Sequence, residues 1–153
     1  MKKNGFSLTE VIVTTAMIGT LTSISIPKYV NQLIRTRQSE CVSVLSKVIT
    51  ATMGYYDEYG DPPQSWKDLN SMSAIMQGNG TSGDDDHFDP IKLSSGNYGI
   101  SASIDGEIYN FECIPEETRL SNYNAMGCLN TSNGASEIKR GTKEAIANTA
   151  NCN

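Results

Sequence analysis

One carboxylate stands alone in a long uncharged stretch near the N-terminus. Between Phe6 and Pro27 the only charged side chain is that of Glu10. Placing a charge in a bilayer costs about 2.5–3.5 kcal/mol, whereas a carboxylate near a helix N-terminus gains only about 0.3–1 kcal/mol from the helix dipole. This imbalance predicts that Glu10 pairs with a positive charge on a neighbouring chain.

Four cysteines could form disulfides or bind a metal. Cys41, Cys113, Cys128 and Cys152 form no C-x-x-C pair, and the single histidine, His87, is far from all of them in sequence. The pattern argues against a zinc site. An even number of cysteines outside a metal-binding pattern favours disulfides, and therefore an oxidising compartment.

A Gly- and Asp-rich loop at residues 78–90 contains four clustered carboxylates that could bind calcium. They are Asp84, Asp85, Asp86 and Asp89. Their spacing is not that of an EF-hand, since neither the glycine nor the terminal glutamate falls at the required position. We expect a solvated loop and no cofactor, with calcium binding as the alternative.

No arrangement of residues predicts an enzyme. No Gly-rich phosphate loop follows a strand, and His87 has no nucleophile at a recognisable motif spacing. The formal net charge of −5 argues against broad nucleic-acid binding, because phosphate contacts need a basic surface.

One long helix is expected to position these residues. The 22 residues from Phe6 to Pro27 are about enough to cross a hydrocarbon core of ~30 Å. Beyond Pro27 apolar residues recur at helical spacing, which predicts one helix from Phe6 to about Tyr59, with a membrane-buried first half and an amphipathic second half. Gly19 and Pro27 should weaken it, because glycine costs about 1 kcal/mol and proline about 3 kcal/mol inside a helix.

The first ten residues combine a short basic leader, a Gly-Phe pair and a glutamate four residues after the phenylalanine. The stretch Lys3-Asn4-Gly5-Phe6-Ser7-Leu8-Thr9-Glu10 resembles the class III signal of type IV prepilins and pseudopilins. The resemblance implies that a prepilin peptidase cuts between Gly5 and Phe6 and then N-methylates Phe6. It also implies that Glu10 and the new amine of Phe6 act in assembly, and that the zone from Gly19 to Pro27 unwinds in the filament.

A conventional secretory signal is the alternative to this processing. Residues 23–25, Ser-Ile-Ser, could serve as its small-x-small cleavage site, but a carboxylate inside the apolar region argues against it.

The resemblance also bears on the acidic loop, because major pseudopilins of type II secretion carry a calcium site in their loops.

The remainder of the chain predicts a small head. Residues 60–63, Gly-Asp-Pro-Pro, should end the long helix, and Ser65 can cap a short helix that continues to about Gln77. A further strand is predicted near 125–129, and a short helical stretch near 136–148.

Asp105-Gly106 predicts a two-residue hairpin loop, in which Ile104 pairs with Glu107. One face of this hairpin is apolar and should lie on the long helix. Its residues are Tyr98, Ile100, Ala102, Ile104, Tyr109, Phe111 and Cys113. This placement favours a Cys41–Cys113 disulfide, which leaves Cys128 with Cys152. Four cysteines allow three connectivities, and Cys113–Cys128 with Cys41–Cys152 is the alternative.

The predicted fold is α+β, with a long N-terminal helix spine packed on a small antiparallel β-sheet head. Its parts are a leader peptide (1–5), a transmembrane or filament-core helix half (6–27), an amphipathic helix half (28–59) and a globular head with a cysteine-bounded C-terminal region (60–153).

The resemblance implies a structural subunit of a type IV pilus, which polymerises through its N-terminal helix into a surface filament for adhesion, motility or DNA uptake. Its partners would be other pilin subunits in a homo- or hetero-polymer, the prepilin peptidase, the pilus assembly machinery and the membrane. Before assembly the chain would cross the inner membrane once, with its head outside the cytoplasm. The alternatives are a type II secretion pseudopilin and a membrane-tethered binding protein that never polymerises.

Overall fold

The computed structural model describes residues 5–73, 76–77, 80–81 and 87–152. Its helices are α1 (Leu8–Tyr59), α2 (Trp66–Met72) and a 3-10 turn (Thr118–Tyr123). Its strands are β1 (Met76–Gln77), β2 (Gly80–Thr81), β3 (Ile91–Lys92), β4 (Tyr98–Asp105), β5 (Ile108–Pro115), β6 (Ala125–Asn130) and β7 (Ser136–Arg140). Strands β1 and β2 pair with each other, and the other five form an antiparallel sheet in the order β3-β4-β5-β6-β7. The predicted α+β class, with a long N-terminal helix and an antiparallel sheet, is confirmed.

The chain divides into two compact units, an N-terminal unit (Met1–Thr36) and a C-terminal unit (Arg37–Asn153), and the division falls within α1. The helix ends at Tyr59, as predicted. Gly60 takes a positive φ of 74°, and its amide donates to the Tyr56 carbonyl at 2.9 Å. This backbone conformation suits glycine, and Pro62 and Pro63 cannot continue the helix.

Within the C-terminal unit, one stripe of α1 packs against the sheet. Its buried residues are Gln38, Cys41, Val42, Leu45, Val48, Ile49, Ala51 and Thr52. The helix and the sheet come closest at Gly127 of β6, where an added Cβ would lie 3.2 Å from Cδ1 of Ile49. Each fully buried aliphatic side chain here contributes about 1.5–3 kcal/mol relative to exposure, so this stripe is the centre of the core.

The β4–β5 hairpin turns one residue later than predicted. Asp105 pairs with Ile108, so the loop is Gly106-Glu107 and the predicted pairing of Ile104 with Glu107 is wrong. Of the two loop residues only Gly106 has a positive φ, 61°, and glycine first suits a type II′ turn. An Asp-Gly loop of type I′ would also require Asp105 at positive φ. Partners shift by two residues, which keeps every side chain on its predicted face.

The apolar hairpin face does join the core. Buried residues of this face are Tyr98, Ile100, Tyr109, Phe111 and Cys113. The hydroxyl of Tyr109 donates to the Pro63 carbonyl at 2.7 Å, and that of Tyr98 to the Tyr123 carbonyl at 3.0 Å. Burial raises the pKa of each tyrosine to about 12, so both remain hydrogen-bond donors at physiological pH.

Ser65 caps α2 as predicted, since its side chain accepts from the Asp68 amide at 3.2 Å. The helix ends at Met72 and not near Gln77. Residues 76–77 belong instead to the β1–β2 pair, because a strand ladder with residues 80–81 takes up the hydrogen bonds that a longer helix would have made.

The predicted strand near 125–129 is present as β6, but the predicted helical stretch near 136–148 is wrong. Residues Ser136–Arg140 form β7. In its register Ile138 lies opposite Gly127, on the α1 side, while Glu137 pairs with Cys128 on the opposite side of the sheet. The placement of neighbouring residues on opposite faces is a strand pattern, and pairing with β6 overrides the helix-forming residues of the segment.

The residues after β7 form a C-terminal strap (Gly141–Cys152) without helix or strand. Side chains supply its hydrogen bonds. Asn124 binds both backbone groups of Ala147, accepting from the amide at 2.7 Å and donating to the carbonyl at 3.3 Å. Asn130 donates to the Cys152 carbonyl at 3.2 Å. The strap is therefore ordered by contacts that are distant in sequence.

Two disulfides staple the C-terminal unit. Cys41 is bonded to Cys113 and Cys128 to Cys152, which is the first of the two connectivities considered above. The bonds join residues 72 and 24 positions apart. In the chain-entropy description such loops contribute roughly 3–5 kcal/mol each, by restricting the unfolded chain.

Candidate functional site

The N-terminal turn of α1 is built around Ser7 and Glu10. The backbone amide of Ser7 donates to Oε2 of Glu10 at 2.8 Å, and Oγ of Ser7 accepts from the Thr9 amide at 3.3 Å. A serine before the first helical residue with a glutamate three positions later is a capping box, in which each side chain satisfies a backbone amide of the first turn. The cap explains why the helix begins at Leu8 and not at Phe6.

Glu10 therefore has a partner in its own chain, which the sequence analysis did not foresee. The signal was present, since Ser-x-x-Glu before an apolar run is the motif of a capping box. The expected cost of burying the Glu10 charge favoured a partner on another chain instead. Only Oε2 accepts the Ser7 amide, and a carboxylate has lone pairs on both oxygens, so Oε1 can still accept a second donor.

The predicted cleavage position is accessible. Gly5 and Phe6 both precede the helix and are exposed, and the Phe6 side chain is 87% exposed. A Cβ added at Gly5 would have no heavy atom within 4 Å. An exposed peptide bond outside the helix is accessible to a processing enzyme.

The N-terminal unit exposes apolar side chains around the whole circumference of α1. Large exposed residues between positions 8 and 27 are Leu8, Val11, Ile12, Val13, Met17, Ile18, Leu21, Ile24 and Ile26. At 100° per residue these positions fall on every side of the helix. Among the described helices, α1 is long and apolar enough to cross a membrane, judged by length and composition.

Five hydroxyl groups of this segment donate hydrogen bonds within the helix. Side chains that donate to carbonyls three or four residues earlier, at 2.7–3.0 Å, are those of Thr14, Thr15, Thr20, Thr22 and Ser23. Lipid offers no hydrogen-bond partner, so internal bonds make a hydroxyl-rich segment compatible with an apolar environment. The helix runs without interruption through Gly19 and Pro27.

The described part of the chain contains no group of three or more His, Cys, Asp and Glu side chains that could hold a metal ion. Asp84, Asp85 and Asp86 lie outside the described residues. Asp89 is exposed, and its carbonyl accepts a hydrogen bond from Nε1 of Trp66 at 2.8 Å. His87 is exposed as well.

An open groove of about 500 Å³ runs along α1 beside the end of α2. Its lining residues are Ser43, Ser46, Lys47, Thr50, Ala51, Gly54, Met72 and Ser73. Among the described residues, the lining contains hydroxyl groups and the Lys47 amine, but neither histidine nor carboxylate.

Comparisons of the chain with protein-family models, with curated proteins and with solved structures found no match.

Proposed function

We propose that this chain is the precursor of a type IV pilin subunit, which α1 holds in the inner membrane until the subunit polymerises into a surface filament. One observation carries the proposal: the first half of α1 is apolar on every side, exposed, and interrupted by the single carboxylate of Glu10. A helix that is apolar all round is normally buried in a membrane or in the core of an assembly. A lone membrane anchor gains nothing from a carboxylate, whereas a bundle of such helices can bring Glu10 a cationic partner.

The processing chemistry follows from the same residues. A prepilin peptidase would cut between the exposed Gly5 and Phe6, and methylation would keep a positive charge on the new amine. That amine is the cation proposed for Glu10 of an adjacent subunit. The assembly machinery would supply the energy for extraction from the membrane, and no catalysis is assigned to this chain.

The C-terminal unit suits the outer surface of a filament. Two disulfides and a buried core give it a fold that persists outside the cell, where oxidising conditions preserve the bonds. Adhesion, motility and DNA uptake are the activities that such a surface would serve.

The test is to express the chain with a prepilin peptidase and a pilus assembly system, shear the cells, and analyse the released filaments by electron microscopy and mass spectrometry. We expect filaments whose subunits begin at N-methyl-Phe6. Filaments that remain inside the cell envelope would indicate a pseudopilin. A processed chain that stays monomeric in the membrane would indicate a tethered binding protein. An unmethylated chain beginning at Ile26 would overturn the proposal in favour of an ordinary secreted protein.

A further inference from the structure

The last turn of α1 and the residues just after it carry an acidic–aromatic patch, which consists of Tyr55, Glu58, Tyr59 and Asp61. Tyr55, Glu58 and Tyr59 share a helix face because they are three and four residues apart. The rings of Tyr55 and Tyr59 lie 4.5 Å apart between centroids, and Tyr59 is 56% exposed. Burial, and then the carboxylates of Asp68 and Asp61, raise the pKa of Tyr55, so negative charge lies near its ring.

This combination of groups suits a cationic side chain. Carboxylates bind guanidinium groups through charge-assisted hydrogen bonds, and exposed tyrosine rings attract the same cation through their faces. Glu58 and Asp61 are exposed. None of the ion pairs found within the described residues includes either of them. The patch therefore has the chemistry of a cation-binding surface whose cation comes from outside its own unit.

The same chain carries a matching basic face, formed by Lys28 and Arg35. The two residues are seven positions apart on α1, which places them on one side of the helix. Both are exposed. Between positions 28 and 37 the sequence contains three basic residues and no acidic one. Arginine is the better fit to the patch, because its planar guanidinium both stacks on rings and binds carboxylates in a forked geometry.

We propose that the basic face of one copy docks on the acidic–aromatic patch of a second copy of this chain, with the Arg35 guanidinium between Glu58 and the two tyrosine rings. Two different surfaces meet in this contact, which is therefore heterologous. A heterologous contact that does not close into a ring propagates as a helical filament. The inference rests on the proposed function, since it assigns a subunit contact within the filament.

Charge reversal provides the test. We expect Arg35→Glu and Glu58→Arg each to lower the amount of sheared filament by at least about tenfold, because opposed like charges cost several kcal/mol at an interface. The double variant, Arg35→Glu with Glu58→Arg, should recover filaments to within about twofold of wild type. Asp57→Arg is the matched control, since Asp57 is an exposed acid on the same turn but lies off the patch face, and it should assemble normally.

Membrane levels of each variant and formation of both disulfides report its folding. Arg35→Gln and Glu58→Gln replace any reversal variant that fails to fold. If wild-type filaments form but the single variants assemble normally, this contact is overturned and the proposed function is left intact. The same holds if the double variant stays defective. A defect for Arg35→Glu alone would assign Arg35 to lipid headgroups and also overturn it. Absence of wild-type filaments would instead count against the proposed function.

Discussion

At the scale of single residues, Glu10 stands between two partners. Its Oε2 accepts the Ser7 amide at 2.8 Å. Cleavage after Gly5 would create an amine on Phe6, next to that amide, so the chain's own amine and that of a neighbour would compete for the carboxylate. The neighbour's amine can bind Oε1 without breaking the cap. In the proposed filament core, where ion pairs are weakly screened, this arrangement would select one stagger between subunits, because other staggers would leave the charge unpaired.

Two substitutions separate the charge of Glu10 from its cap. Glu10→Gln keeps an oxygen that can accept the Ser7 amide, whereas Glu10→Leu removes both the cap and the charge. We expect both variants to accumulate in the membrane and to fall at least about tenfold in the sheared fraction, because one partner of a desolvated ion pair is lost. Asp57→Asn is the control for loss of charge on the same helix, since Asp57 is exposed and lies off the patch face, and it should assemble like wild type. If Glu10→Gln assembles like wild type, the cap and not the charge is what assembly needs.

Gly141 shows a constraint that sequence alone does not reveal. A Cβ at this position would lie 1.9 Å from the Asn122 carbonyl oxygen and 2.6 Å from Oδ1 of Asn124, so the strap has to move to admit it. We expect Gly141→Ala to lower the free energy of unfolding by about 3 kcal/mol, near the upper end for overpacking. Gly54→Ala is the opposite case. Gly54 lies inside α1, and a Cβ added there would meet only Cε of Met72, at 3.5 Å. Gly54→Ala should therefore raise the free energy of unfolding by about 0.5–1 kcal/mol. Thermal unfolding of the C-terminal unit checks both, and equal effects would contradict the packing argument.

At the scale of elements, side chains of β6 and β7 hold the C-terminal strap in place. The Asn151 amide donates to Oε2 of Glu137 at 2.8 Å, and Nζ of Lys139 donates to the Thr149 carbonyl at 3.3 Å. Glu137 and Lys139 lie on the face of β7 that points away from Ile138 and α1. A disulfide and a set of side-chain bonds thus replace the backbone ladder that the strap lacks.

Acid should loosen the end of the strap before it affects the core. The Asn151 amide and then Lys139 lower the pKa of Glu137 from its usual 4.5. A carboxyl whose folded pKa is depressed contributes stability above its unfolded pKa, and loses it as the pH falls through the folded value. We expect the Asn151 amide resonance to titrate with a midpoint below 4.5, and Glu137→Gln to abolish the titration. A midpoint at or above 4.5 would show that the contact does not form in solution.

The elements that the sequence predicted well are those with local signals. The apolar periodicity of α1, the glycine and prolines after Tyr59, and the Ser65 cap are each encoded within a few residues. The hairpin face was predicted but its register was not, because Asp105-Gly106 and Gly106-Glu107 both make acceptable two-residue loops and differ by an even shift. The strap was missed because Asn124, which binds its backbone, is 23 residues away in sequence. The β7 strand was missed because it contains a single apolar residue, Ile138, and so shows no clear alternation.

At the scale of the whole molecule, the two units bury their apolar residues by different means. In the C-terminal unit the core is closed by residues of α1, α2 and the sheet, and it is covalently stapled. In the N-terminal unit the apolar side chains of α1 have no cover from the described residues of the chain. An apolar surface of this extent is unfavourable in water, so we expect lipid or other subunits to cover this unit, whereas the C-terminal unit buries its own core.

This division predicts that a fragment beginning at Lys28 folds without the first half of α1. It retains the whole buried stripe of α1, from Gln38 to Thr52, and all four cysteines. We expect a soluble, monomeric fragment with both disulfides and a single cooperative thermal transition, whereas the full chain should require detergent.

Two substitutions in this fragment test whether the transition reports the core. Leu45 is fully buried, so Leu45→Ala should cost about 2–5 kcal/mol through the cavity it leaves. Leu33 is 38% exposed and belongs to the N-terminal unit, so Leu33→Ala should change the midpoint little. Calorimetry or circular dichroism measures both. A fragment that melts without cooperativity would mean that the first half of α1 is part of the fold, and the exposed apolar helix could then no longer be attributed to membrane insertion and assembly alone.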